Sequence, residues 1–275
     1  MKIEKALEIV CLTDPGRRRS HNEDHVAGLA AAGLVVLADG MGGHNAGEVA
    51  SDLAVRFITA QVKTCLEEQA DELAADQDYL AVALRESIES ANARIFATAQ
   101  HEPQHAGMGT TLVAGWFYDN RLAVGHVGDS RMYRFRAGVL ERLTRDHSLL
   151  QEQLDHGLIS REQALHSSHR HVVTRAVGAD PKVEATLTLH AVLPGDIYVL
   201  CSDGLTDMVG DEDIAATLRV MRDNPALAVK QLVRMANERG GYDNISVALV
   251  KVHGDFSVPR SLWSRLLGKL GRKQP

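Results

Sequence analysis

The sequence predicts an α+β protein whose strands and helices are segregated. Two observations carry this. Short apolar runs bounded by Gly and Asp recur along the chain, as in Leu34-Val-Val-Leu-Ala38, Leu122-Ala-Val-Gly-His-Val127 and Ile197-Tyr-Val-Leu-Cys-Ser202. Such runs read as buried strands with turns at their ends. Helical periodicities come in pairs, between groups of consecutive strands. The regular strand–helix alternation of a doubly wound parallel sheet is missing.

Taken in order, the first helix is expected over about 46–69, where Val49, Leu53 and Phe57 recur at four-residue spacing with Ala54 and Ile58 beside them. A second covers about 78–100, with Leu80, Leu84, Ile88, Ala91 and Ile95 on one face. Strands are expected near 109–117, 121–128, 131–136, 183–190 and 196–202. Two more helices occupy about 211–222 and 225–238; Asn224-Pro225 starts the latter and Gly240-Gly241 stops it. The last strand is about 244–252. Between Thr144 and Lys182 the character changes. Ser148-Leu-Leu-Gln151 and Ser160-Arg-Glu-Gln163 read as capping boxes of short helices. His147, His156, His166, His169 and His171 also fall here; their spacing matches no standard metal motif, and they read as a solvated flap.

Composition excludes several classes. With 45% hydrophobic residues in 275, a sizeable core is available. A formal charge of −6 argues against a nucleic-acid groove. Cys11, Cys65 and Cys201 leave an odd count without metal-like spacing, which suits a reducing compartment. The start Met1-Lys-Ile-Glu-Lys is no signal peptide, and no apolar run approaches the ~20 residues that span a bilayer. A soluble cytoplasmic protein is expected. No long linker and no internal repeat divide the chain.

Five acidic segments stand out: Arg19-Ser-His-Asn-Glu-Asp24, Asp39-Gly-Met-Gly-Gly-His44, Gly128-Asp-Ser-Arg131, Ser202-Asp-Gly-Leu205 and Asp243-Asn-Ile-Ser246. Each alone is bland, since Asp-Gly is first of all a turn signal. Their placement is informative. Asp39, Asp129 and Asp203 each follow an apolar run, while Asp24 and Asp243 each precede one. Acids at strand ends can converge on one sheet edge. Clustered carboxylates raise each other's pKa unless cations neutralise them, and an all-oxygen set suits magnesium or manganese.

Together with Gly109-Thr-Thr111, these strings resemble the protein phosphatase type 2C family of metal-dependent serine/threonine phosphatases, bacterial branch, from about Asp14 to Val252. The resemblance implies a four-layer α-β-β-α sandwich with two central antiparallel sheets, which periodicity alone only permits. It implies a catalytic domain over 1–255, with a flap at about 145–182 beside the active site, and a tail over 256–275. It implies two Mn2+ or Mg2+ ions bridged by Asp39. The backbone carbonyl of Gly40 is then a further ligand, Asp203 and Asp243 bind the other side, and Glu23 acts through water. Asp24 orients the bridging hydroxide, and Arg19 grips the phosphate with its guanidinium fork. Asp129 with Asp203 would hold a third, weaker ion; alternatively Asp129 and Arg131 brace a turn. The implied reaction is direct hydrolysis of phosphoserine and phosphothreonine by a hydroxide between the two ions. Phosphoproteins and a bacterial Ser/Thr kinase are the implied partners of a monomer. Met41 stands where eukaryotic members carry a histidine proposed as the general acid, and His44 is displaced; a water is the substitute.

Two readings compete. Cys11 and Arg17 have the spacing of cysteine-dependent tyrosine phosphatases, but Pro15 lacks an N–H, Asp14 would repel phosphate and Val10 replaces the family's histidine. A phosphatase-fold binding or regulatory module would need a missing ligand, and none is missing. In the tail, Leu262, Trp263, Leu266, Leu267 and Leu270 can form one face, with Arg260, Arg265, Lys269, Arg272 and Lys273 around it. Such a segment packs on the domain, stays disordered, or touches an anionic membrane.

Overall fold

The computed structural model describes residues 2–43, 46–68, 78–164, 167 and 172–258. A single turn, α1 (Ile3–Ala6), leads into β1 (Leu7–Asp14). Then come β2 (Asp24–Leu29), β3 (Leu34–Met41), α2 (Ala46–Glu68) and α3 (Tyr79–His101). The strands β4 (Gly109–Thr110), β5 (Leu112–Tyr118), β6 (Arg121–Val127), β7 (Arg131–Arg136) and β8 (Val139–Arg142) follow. Two short helices, α4 (Leu149–Asp155) and α5 (Arg161–Ala164), precede β9 (Thr186–Ala191) and β10 (Ile197–Cys201). The one-turn α6 (Asp203–Thr206), α7 (Asp211–Met221), α8 (Pro225–Glu238) and β11 (Ile245–Val252) complete the described chain.

The strands form two sheets, ordered β1-β11-β10-β7-β8 and β2-β3-β5-β6-β9, with β4 on β3. Every pairing is antiparallel. Each sheet is apolar on both faces because it is covered on both. On β3, Leu34, Val36 and Ala38 pack under α2 and α3, while Val35 and Leu37 face the other sheet. On β11, Ile245, Val247 and Leu249 pack under α7 and α8, while Ala248, Val250 and Val252 face inward. That period-two split makes three stacked cores and four layers. Phe117 and Tyr198 meet edge to face between the sheets, 5.2 Å apart.

Several expectations need correction. The fully buried stripe of α2 is Ala50, Ala54, Ile58 and Val62; Val49, Leu53 and Phe57 lie half-buried at its margin. Small residues at 50 and 54 let the helix sit close to the sheet. The strand expected over 109–117 is interrupted at Thr111, whose N–H donates to Asp39 O (2.8 Å). Strands β1 and β8 were not expected. Both are edge strands with weak apolar patterns, which periodicity registers poorly. Of the capping boxes, Ser160/Gln163 closes in both directions, whereas Ser148 only accepts from Gln151 N; the Gln151 side chain turns to Asp155 and Arg142. Asn224 accepts from Leu227 N with Pro225 behind it, as expected of a helix start.

In the flap, His147 is half-buried rather than solvent-exposed. It stacks on His126 (4.7 Å), accepts at Nδ1 from Gly128 N and donates from Nε2 to Thr186 Oγ1. Burial first, then His126 and Arg175, push its pKa down to about 4, so the ring is the neutral Nε2–H tautomer. His156 is exposed as expected. His166, His169 and His171 lie outside the described residues, as do His44 and the tail from 259 to 275. Phe256, at the tail's expected start, is buried on the body, and its N–H donates to Asn120 Oδ1.

Candidate metal centre

All the predicted acids except Asp24 line one hollow of about 840 Å3, together with Arg19 and Gly40. Asp24 lies behind it, opposite Asp39 in the β2–β3 register. The sandwich brings them together because β3, β6 and β10 all end at the same edge. Asp39 is the centre of the group: burial first, then the charges of Asp24, Asp203, Asp129 and Asp243, hold its pKa well above the ordinary carboxyl value. Burial first, with Asp203 adding, pushes both Asp24 and Asp129 up to about 7. Burial likewise raises Glu23, although Arg19 opposes it.

The backbone around Asp39 is tied down. Its N–H donates to Thr111 Oγ1 (3.2 Å), and its carbonyl accepts from Thr110 Oγ1 (2.9 Å). Thr111 Oγ1 also bonds Ser130 Oγ (2.7 Å), the neighbour of Asp129. The Gly-Thr-Thr string therefore couples two acidic segments through hydroxyls. Ser202, before Asp203, donates to Asp24 Oδ2 (2.9 Å). The other oxygen, Asp24 Oδ1, is buried and accepts no well-aligned hydrogen bond among the described residues; Ser246 is near enough to favour the Asp24 carboxylate, but its hydroxyl donates to Thr13 Oγ1 (2.7 Å).

The two Asp-Gly pairs are not hairpin turns. Gly40 lies in β3, and a Cβ there would sit 2.1 Å from Gly47 O and 2.6 Å from Glu23 O. Gly204 lies in α6, and its Cβ would sit 2.0 Å from Asn244 O. In both, glycine permits backbone to cross backbone beside an acid.

Of the pair Asp129 and Arg131, the arginine turns to a different acid. It forks onto Asp146, with Nη2 2.7 Å from Oδ2, and so anchors the base of the flap. Arg19 Nη2 lies 2.7 Å from Asp243 Oδ2. Met41, Val172, Val173 and Met208 also line the hollow. No histidine lines the hollow among the described residues. Cys11 sits within β1, and burial pushes its thiol up to about 11, the reverse of what a thiolate nucleophile requires.

Asn244 carries a role that its sequence neighbourhood did not disclose. Its Oδ1 accepts from Glu23 N (2.8 Å), and its Nδ2 donates to Pro15 O (3.0 Å) and His21 O (2.9 Å). One amide thus clamps the Arg19 loop and Glu23 onto β11. Nothing in an Asp-Asn pair distinguishes this from a strand-entry turn. Asn244→Ala is expected to cost about 2–3 kcal/mol, because it strands buried backbone groups. It should also weaken manganese binding roughly ten-fold. Urea denaturation and metal titration of the variant check both.

The donors fit hard divalent cations. They are oxygen only, they repel one another, and one buried carboxylate oxygen lacks a partner. Among the described residues no three His, Cys, Asp or Glu side chains stand close enough together to hold a metal ion as they are; the acids are spread along the lining of the hollow and would draw in around a cation.

Fold and site together define a class: α-β-β-α proteins that gather acids at one edge of paired antiparallel sheets. The sequence profile of the family Protein phosphatase 2C matches residues 16–237. The chain belongs to that family. It is 39% identical over 251 residues to the serine/threonine protein phosphatase PstP of Mycobacterium tuberculosis, covering 91% of this chain and 46% of that protein. The chain thus spans about half the length of that relative. It is 39% identical over 242 residues to the serine/threonine phosphatase stp of Listeria monocytogenes, covering 87% and 93%. The crystal structure of the PstP catalytic domain in complex with two manganese ions superposes with a TM-score of 0.78, at 38% identity over 90% of this chain and 98% of that one. The Streptococcus agalactiae serine/threonine phosphatase gives 0.80, at 36% identity over 90% and 100%.

Proposed function

We propose that this chain hydrolyses phosphoserine and phosphothreonine on proteins, with two Mn2+ or Mg2+ ions as cofactors, and opposes a Ser/Thr kinase in the cytoplasm. The observation that carries this is the convergence of acids from five separate segments around Asp39, with Arg19 at the rim. The mycobacterial relative with two manganese ions supports the metal count. No described helix is long and apolar enough to cross a membrane.

In this reading Asp39, the Gly40 carbonyl, Glu23, Asp203 and Asp243 hold the pair, and Asp129 with Asp203 offers a place for a third ion. When bound, the cations supply the attacking hydroxide and the counter-charge for the phosphoryl oxygens. Asp24, buried and opposite Asp39, orients the attacking oxygen. Arg19 binds the phosphate: among the described residues only one of its N–H donors is engaged, by Asp243. Met41 has no proton to give, so the leaving alkoxide takes its proton from water in the open hollow.

The test is a phosphothreonine-peptide assay. EDTA is expected to abolish phosphate release and manganese to restore it, while Cys11→Ser retains activity. Activity that survives exhaustive chelation would overturn the reading. Absent manganese binding by calorimetry would favour a non-catalytic module instead.

A further inference from the structure

The run Arg17-Arg-Arg19 supplies three consecutive guanidinium groups, and only the last faces an acid of the site. The N–H groups of Arg17 (2.7 Å) and Arg18 (3.2 Å) both donate to Gly241 O. This fixes the run against the turn that ends α8. Gly240 and Gly241 hold φ of +133° and +53°. A Cβ on Gly241 would lie 2.8 Å from Arg17 Cγ, and one on Gly240 would lie 2.6 Å from Tyr242 Cε2. The two glycines let the turn lie flat against Arg17 and the Tyr242 ring together. Arg18 Cζ then sits 5.7 Å above that ring. Tyr242 is 59% exposed and lines the hollow beside Asp243.

Several other arginines are paired with acids: Arg134 with Glu141, Arg239 with Asp213, Arg56 with Asp52. No carboxylate pairs with Arg17 or Arg18 among the described residues. The molecule carries net negative charge, yet among the described residues these two cations, next to Arg19 and Tyr242 of the acidic hollow, pair with no carboxylate.

We propose that Arg17, Arg18 and Tyr242 form a subsite for an acidic side chain flanking the phosphorylated residue, so that acidic phosphopeptides are the preferred substrates. This rests on the phosphatase reading above. A phosphate held by Arg19 places the next peptide residue ~3.3–3.6 Å further along an extended chain, the same scale as the spacing of successive residues in the Arg17–Arg19 run. The acids that line the hollow repel a flanking carboxylate, while the two guanidinium groups attract it. Stacking on Tyr242 restrains Arg18 in advance, so less side-chain freedom is lost on pairing.

The experiment measures kcat/KM with manganese on two phosphothreonine peptides, identical except for Glu or Lys on both sides of the phosphoresidue. The intact chain is expected to favour the Glu peptide by roughly three- to ten-fold, the scale of two solvent-exposed ion pairs, and less at high salt. Arg17→Gln/Arg18→Gln should reduce that ratio to about two or below, and Arg18→Glu should invert it. The ratio is read within one preparation, so a partly misfolded variant still reports it. An unchanged ratio in the double variant, an initial preference for Lys, or an equal loss on both peptides and on a small aryl phosphate would each overturn the inference. Wild-type protein that hydrolysed neither peptide would overturn the phosphatase reading and this inference with it.

Discussion

Asp39→Asn and Asp203→Asn are each expected to lower kcat on a phosphopeptide by on the order of 10²–10³, with the fold intact. The reason is electrostatic rather than structural. Asp39 interacts with four other carboxylates, and an amide keeps its shape while removing the charge that would hold a cation. The strand around it is secured through backbone atoms by Thr110 and Thr111, which the substitution leaves alone. Saturating-manganese kinetics, alongside circular dichroism of each variant, check the expectation. Near wild-type turnover by either variant would end the mechanism.

The same substitution has the opposite sign for stability. Asp24 and Asp129 are pushed up to about 7 in the folded chain, against 3.8 ordinarily, and Asp39 is likewise held well above its ordinary value. Folded-state values above unfolded ones mean that the native protein holds protons the unfolded chain has released. Stability in chelator is therefore greatest at low pH in this window, and falls as pH rises from about 4 through 7. Removing one member of the cluster relieves that repulsion. In EDTA near neutral pH, Asp39→Asn should melt roughly 3–6 °C above wild type, corresponding to about 1–2 kcal/mol in a chain of this size. Added manganese should reverse the order, because it binds the wild-type carboxylates and stabilises only what it binds.

The reading of the sequence succeeded where pattern is local and strong. Leu80, Leu84, Ile88, Ala91 and Ile95 form the buried face of α3, and α8 runs from Pro225 to Glu238 as its start and stop residues imply. The acids were legible because each flanks an apolar strand, so topology alone carries them to one edge. What stayed hidden depends on contacts distant in sequence. Asn244 reaches Pro15, His21 and Glu23, more than 220 positions away, and no periodicity encodes that. His147 was taken for a surface residue because burial by stacking on His126 leaves no mark in spacing. The edge strands β1 and β8 pair on one side only, so their alternation is weak. Asp-Gly taken alone reads as a turn, its commonest use, and only the joint pattern points to a site. Its purpose here is a crossing of two backbones, and only the assembled fold reveals it.

Gly40→Ala follows from that crossing, and is expected to destabilise the protein by about 3–5 kcal/mol. Gly40 has no positive φ, so backbone strain is not the cause. The obstacle is space. The added methyl would meet Gly47 O at 2.1 Å, Gly47 C at 2.4 Å and Glu23 O at 2.6 Å, all of them backbone atoms. A side chain could swing aside; the first turn of α2 and the strand entry at Glu23 cannot move without carrying their elements. Gly47 faces the reciprocal constraint, since its own Cβ would lie 2.8 Å from Gly40 C and 2.8 Å from Met41 N. Any relief of the clash therefore separates Asp39 and the Gly40 carbonyl from Glu23, so stability and manganese affinity should fall together. Gly109→Ala is the matched control: its Cβ would come no closer than 3.4 Å to any neighbour, and its effect should stay within about 0.5 kcal/mol. Urea denaturation and manganese titration of both variants separate the outcomes. A Gly40→Ala protein within about 1 kcal/mol of wild type would mean that β3 and α2 are not in backbone contact there, and the close approach beside the acids would have to be abandoned.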